Sequence, residues 1–336
     1  MSAVPADGGA GLWMLAWRRL RDDRVAMVAL GIVAAFLVML VLSATGLVAA
    51  DWEEEVGVNY APPTFVGAGP ATAAATAAAV PVPDNPFDPL AQDLRALRAQ
   101  LGTEQTAARR ASLPFGADKW GHDIVKKTIK GGQTSIVVGL VAALVAVGLG
   151  TLFGAVSGFY GGLVDDLFNW FYNVFTSIPS ILMILTVAAV LQHKGVTTIV
   201  LILGLTGWTG PYRLIRAEYL RHKAREYVLA ADAIGASAAR KMFAHIFPNV
   251  SHVALVQLSI LAVGFIKAEV ILSFLGFGVP VGVVSWGSML NEAQNELLLG
   301  KWWQLTAAAV AMAVLVTAFS LLADALRDAL DPKVKP

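Results

Sequence analysis

Two ionisable side chains, Lys267 and Glu269, stand inside the apolar run Val253 to Phe277. Ionisable groups in a membrane span are costly and mark substrate or ion pathways. Two residues apart on a helix, they point about 200° away from each other and cannot pair. They are the candidate path residues, although a Lys267 that snorkels to the outer interface is the plainer reading. Other chemistry is sparse. The five histidines (His122, His193, His222, His245 and His252) show no ligand spacing. The absence of cysteine removes disulfides, thiolate metal sites and thiol nucleophiles. The chain has no G-x-x-x-x-G-K-[ST] phosphate loop, no H-E-x-x-H and no G-x-S-x-G. It is expected to carry no catalytic residue, no metal and no cofactor of its own.

The elements that would hold such residues are membrane helices. Hydrophobic residues make up 57% of the 336 residues, charged residues 15%, and the mean hydropathy is +0.65, so there are too few charges to cover a soluble globule of this size. With 25 Lys+Arg against 24 Asp+Glu, the charge balance offers nothing to nucleic acid. The expected fold is an all-α integral membrane protein of six spans. These are Ala26–Ala50, Ser135–Gly158, Leu167–Leu191, Val196–Trp208, Val253–Phe277 and Leu305–Ala323.

Arginines 18, 19, 21 and 24, and the basic residues between Arg213 and Lys241, place both termini and residues 212–250 on the cytoplasmic side. Only Lys194 and Lys301 flank the outer ends of spans three and five. Lys119, Lys126, Lys127 and Lys130 run against this trend, but they belong to a long outer loop, and long loops cross largely regardless of charge.

The resulting order is a cytoplasmic segment 1–25, a first helix 26–50, an outer loop 51–134, a core 135–325 and a cytoplasmic tail 326–336. In the loop, 62–89 reads as an extended Ala/Pro/Thr-rich insertion with a low-complexity run at 71–79. Leu94, Leu97 and Leu101 have the spacing of a short surface helix. Gly150, Gly154 and Gly158 form a ridge of small residues that another helix can approach closely.

Between spans four and five, Arg225–Val250 reads as helix, Gly235, helix. Tyr227, Val228, Ala231 and Ile234 make one apolar stripe, and Ala239, Met242, Phe243 and Ile246 make the other. Gly235 is the natural stop, because glycine enters left-handed geometry cheaply. Such a pair forms a rigid knob suited to a groove on a partner.

This segment resembles the EAA loop of permease subunits in ATP-binding-cassette importers, with Ala230, Ala231, Gly235 and Pro248 matching and Leu229 at the glutamate position. Further stretches resemble the dipeptide/oligopeptide/nickel branch: FGADKWGHDI (115–124), GFYGGLVDD (158–166), SIPSIL (177–182), SFLGFGVP (273–280), SWGSML (285–290) and LRDALDP (326–332). The resemblance implies a multi-pass subunit of a bacterial inner membrane. Its partners would be a second permease, two cytoplasmic ATPases that bind the ATP and magnesium, an external solute-binding protein and the surrounding lipid. The docking residues would be Glu226, Ala230, Ala231, Gly235, Ala236, Ser237 and Pro248. Peptide cargo is expected. The alternatives are nickel or another small solute on the same machinery, or an ATP-independent secondary transporter.

Overall fold

The computed structural model describes residues 12–67, 109–191, 193 and 195–330. Its helices are α1 (Leu12–Asp22), α2 (Arg24–Ala44), α3 (Ile124–Tyr160), α4 (Gly162–Thr176), α5 (Ser180–Leu191), α6 (Val196–Thr206), α7 (Thr209–Lys223), α8 (Glu226–Ala233), α9 (Ala238–Phe274), α10 (Trp286–Leu298) and α11 (Trp303–Leu330). Among the described residues, β pairing is limited to three isolated bridges. The low-complexity run at 71–79, the expected helix around Leu94–Leu101 and Lys194 lie outside the described residues.

Among the described residues, four helices, α2, α3, α9 and α11, are long and apolar enough to cross a membrane. The expected third span is two helices, α4 and α5, bent by 84°. The bend falls at Ser177–Pro179, where Pro179 offers no N–H to continue the ladder and disfavours helical geometry in the residue before it. The expected fourth span is an 11-residue helix, α6, whose path α7 continues after a break at Gly207 and Trp208.

Helix α3 is the axis of the bundle. It begins at Ile124, eleven residues before the expected span, because Asp123 caps it by accepting from the amides of Val125 at 2.7 Å and Lys126 at 3.4 Å. The lysines in this first stretch lowered its apparent hydropathy. In the fold two of the three find carboxylates, Lys126 pairing with Asp51 and Lys127 with Asp118 and Glu292. Residues 124–134 are therefore helix rather than loop. The start of the expected insertion is also paired, with the Thr64 amide donating to the Leu113 carbonyl at 2.9 Å.

The main core packs α3 (Val138, Ala142, Ala146) against α6 (Ile199, Leu203) and α9 (Ala262, Phe265). Towards the Ile124 end, Ile136, Ile266, Trp286, Met289, Ala308 and Leu315 join α3, α9, α10 and α11. The Trp286 indole N–H donates to the Thr128 carbonyl at 2.9 Å. Helix α10 had no counterpart in the sequence reading. Its start is a capping box, in which the hydroxyls of Ser285 and Ser288 each accept from the other residue's amide.

Towards the Tyr160 end, the glycine ridge meets α7. A Cβ on Gly150 would lie 2.6 Å from the Trp208 carbonyl oxygen, one on Gly154 2.8 Å from that of Tyr212, and one on Gly158 2.7 Å from that of Arg216. Backbone touches backbone along three turns, which only glycine permits. Residues 212–223, expected as the start of a loop, therefore run as helix beside the second half of α3.

Candidate functional site

The Tyr160 end carries the two-helix knob. Helix α8 ends in a hydrogen-bonded left-handed stop. Gly235 has φ +80°, its amide donates to the Asp232 carbonyl at 2.9 Å, and the Ala236 amide reaches back to the Ala231 carbonyl at 3.0 Å. Ser237 then caps α9 by accepting from the Arg240 amide at 3.3 Å. Lys241 returns an ion pair to Asp232, closing the corner from its charged side.

After its first three residues helix α9 widens into a π-helical turn, Lys241–Ile246, just ahead of Pro248. A proline ring presses on the carbonyl four residues back, and the wider turn relieves that pressure. The knob is anchored by Val228, Met242, Ile246 and Val250, buried against Ala155, Phe159, Ile215 and Tyr219. The Tyr219 hydroxyl donates to the Met242 carbonyl at 3.1 Å.

The expected stripes are corrected by this packing. Only Val228 and Ala231 of the first, and Met242 and Ile246 of the second, face inward. Ile234 is 84% exposed, Leu229 57% and Phe243 51%. Ile234 lies six residues, about 240° round the helix, from the anchored Val228, so the knob presents these three side chains outward. Glu226, Ala230, Gly235, Ser237 and Pro248 are also exposed, Ala236 is half-buried and Ala231 is buried. Asp165, in the GFYGGLVDD stretch, braces the base of the knob. Its carboxylate accepts from Arg216 Nε and Nη2 at 2.6 Å each, a bidentate tie between α4 and α7.

The opposite end of the bundle carries a polar cluster that sequence reasoning missed. Asp118, in the FGADKWGHDI stretch, is fully buried. One carboxylate oxygen accepts from the amides of Trp120 at 2.9 Å and His122 at 3.0 Å. The other lies 2.9 Å from His122 Nδ1 and 2.7 Å from Lys127 Nζ. Lys127 also donates to Glu292 Oε2 at 2.7 Å and to Gln304 Oε1 at 3.3 Å. One ammonium thus joins the 115–123 loop, α3, α10 and α11. Burial pushes the Asp118 carboxyl upward, but the Lys127 charge and hydrogen bond and the His122 amide outweigh it and hold it below its usual value. The Asp118 stretch was visible in the sequence. Lys127 was read as one of several loop lysines, and the polar run Asn291–Glu296 gave no periodic signal.

Glu296, one turn beyond Glu292, is 2% exposed, and both of its carboxylate oxygens lack a hydrogen-bond partner among the described residues. Burial, reinforced by the charges of Asp118 and Glu292 and opposed by those of Lys127 and Lys119, raises its pKa to about 7. The folded chain therefore holds this proton where the unfolded chain has lost it. The resulting stability is fully present below the ordinary value of 4.5 and is lost as pH rises to about 7. Glu296→Gln is expected to melt several degrees above the parent at pH 8, with the gap closing towards pH 4.5, as measured by thermal unfolding in detergent. A gap of the same size at both pH values would refute this reading.

Lys267 and Glu269 do not meet. Lys267 is exposed, whereas Glu269 is fully buried and accepts from the Ser273 hydroxyl at 2.6 Å. Glu269 therefore lies inside the packing of this chain.

Comparison with known proteins places the chain in a family. Residues 150–336 match the profile of binding-protein-dependent transport system inner membrane components. Residues 11–63 match that of the N-terminal transmembrane domain of oligopeptide transport permease C. The dipeptide transport system permease protein DppC of Bacillus subtilis is 36% identical over 233 residues, 69% of this chain and 72% of that protein. The oligopeptide transport system permease protein OppC of the same organism is 36% identical over 221 residues, 66% of this chain and 72% of its own. The DppC of Lactococcus lactis is 30% identical over 318 residues, 95% of this chain and 90% of its own.

Proposed function

The chain belongs to the family of binding-protein-dependent transport system inner membrane components, and from that premise we propose that it is one permease subunit of an ATP-driven importer of di- or oligopeptides. It crosses the inner membrane six times, through α2, α3, the bent pair α4–α5, the broken pair α6–α7, α9 and α11. Both termini and the knob are cytoplasmic, following the arginines that flank α2 and the basic residues of 213–241. The chain supplies half of the translocation path, and of the pair Lys267 and Glu269 the exposed Lys267 is the candidate path residue. A second permease completes the path, and an external solute-binding protein delivers cargo.

ATP and magnesium bind to two partner ATPases, and this chain takes no part in phosphoryl chemistry. The observation that carries the reading is the knob, whose anchored base leaves Leu229, Ile234 and Phe243 uncovered beside Glu226, Ala230, Gly235, Ala236, Ser237 and Pro248. Seated in an ATPase groove, the knob follows the closing of the ATPase pair. It transmits that motion through Tyr219, Ile246 and the Arg216–Asp165 tie to α3 and α4. ATP drives the cycle only by favouring the closed arrangement over the open one.

The test replaces Ile234, which touches little inside the chain. Ile234→Asp is expected to leave membrane levels unchanged, lose co-purification of the ATPases and cut dipeptide uptake by about tenfold or more, the effect of a disrupted anchor residue. Parent-level uptake with retained ATPase would overturn the docking assignment. Uptake that follows an ion gradient instead of ATP would overturn the importer.

A further inference from the structure

A groove of about 610 Å³ runs between α2 and α11 on the outer surface of the bundle. Its floor is Ala29 and Ala318, both buried, and its walls are Val28, Ile32, Val314 and Leu321. Among its lining residues the one charged side chain is Arg24, which sits at one end and is exposed. The eight steps from Arg24 to Ile32 rise about 12 Å along α2. The eight steps from Leu321 to Ala313 on the facing helix match that rise. This distance is most of one leaflet, roughly 15 Å of a 30 Å hydrocarbon core. The groove is thus apolar over the depth of one leaflet and cationic only where the headgroups begin.

Helix α1 adds to the charge at that rim. Arg19 reaches the Ala329 carbonyl at 3.5 Å, which holds α1 beside the last turn of α11. Arg18 and Arg21 on the same helix are exposed. Residues 18–24 hold four arginines (18, 19, 21, 24) against two aspartates (22, 23), and the end of α11 adds Arg327 against Asp324 and Asp328, which leaves an excess of one positive charge. Asp23 is already engaged, capping α2 by accepting from the amides of Val25 at 2.8 Å and Ala26 at 3.2 Å. A phosphate at this rim therefore meets guanidinium groups rather than free helix amides.

We propose that this groove is a binding site for an anionic phospholipid, with one acyl chain lying between α2 and α11 and the headgroup phosphate against Arg24. The ligand matches the groove in length, in apolar lining and in the sign of the single charge at its mouth. Basic pockets between membrane helices that select anionic headgroups work in this way. The site does not depend on which side of the membrane the arginines face, so it stands or falls apart from the importer reading.

Because the chain has no cysteine, a single Thr317→Cys substitution places one fluorescent label in the groove. The purified full chain, alone and with any subunits that co-purify, is titrated with brominated phosphatidylglycerol and with brominated phosphatidylcholine in detergent. Phosphatidylglycerol is expected to reach half-quenching at about a fivefold lower mole fraction, as about one basic contact would give. Arg24→Gln removes that preference while keeping the quenching. Ala313→Trp, which fills the groove, removes quenching by both lipids. Equal quenching by the two lipids, or a preference that survives Arg24→Gln, overturns the site. A label shielded from both lipids assigns the groove to a protein neighbour and also overturns it.

Discussion

Gly154→Leu is expected to prevent this chain from assembling, whereas Gly148→Leu, less than two turns away on α3, leaves it intact. A Cβ at residue 154 would lie 2.8 Å from the Tyr212 carbonyl oxygen and 3.0 Å from the Arg216 amide nitrogen, while nothing among the described residues lies within 4 Å of one at residue 148. The obstacle at 154 is backbone, which cannot rotate away like a side chain, so α3 and α7 must separate. Overpacking costs about 1–3 kcal/mol where side chains can shift, and a backbone obstacle belongs at or above the top of that range. The separation also pulls Tyr212 from Ser157, whose hydroxyls are 3.1 Å apart, and strains the Arg216–Asp165 tie. Gly148→Leu gains about 0.5–1 kcal/mol of helix propensity and meets no neighbour. Size-exclusion profiles and melting curves of the two variants, purified side by side, decide the matter. Two equally monodisperse variants would refute the close packing of α3 on α7.

Lys127→Met is expected to lower the melting temperature sharply. Lys127 is 3% exposed and serves Asp118, Glu292 and Gln304 together. Removing one member of a buried ion pair costs about 3–5 kcal/mol, because the remaining charge is stranded. Here Asp118, fully buried on the 115–123 loop, loses its cation and keeps only His122 and two amides. Asp118→Asn in the same chain is expected to return part of the loss, since the neutral side chain no longer needs the ammonium. The coupling between the two substitutions separates this account from simple loss of packing. A single-variant melting curve that overlays the parent would remove the cluster from any role in joining α10 and α11 to α3.

The membrane character and most of the helices were legible in residue order, because hydrophobic runs long enough to span a bilayer occur by chance only rarely. Gly235 and the ridge at Gly150, Gly154 and Gly158 were legible for a related reason. A left-handed stop and a backbone contact each demand one residue type, so the residue itself reports the geometry. The bend at Pro179 and the break at Gly207 lay inside runs that stayed apolar throughout, and hydropathy does not register direction. Helix α10 and the first eleven residues of α3 went unread for the opposite reason. Their charges and amides look solvated in one dimension.

Residue order alone therefore settled that this chain lives in a membrane, where its chain stops and close contacts fall, and the family it resembles, since each rests on local composition or a short motif. The tertiary structure alone decided which charges are buried. Lys127, Asp118 and Glu292 come from parts of the chain separated by up to 174 residues (118 to 292), and only the packing of α10 and α11 against α3 brings them within hydrogen-bonding distance. It also decided which side of the knob faces out. Val228 and Ile234 are equally apolar, and packing against α3 and α7 buries the first and leaves the second exposed. Burial is a property of neighbours, and neighbours are assigned by the fold.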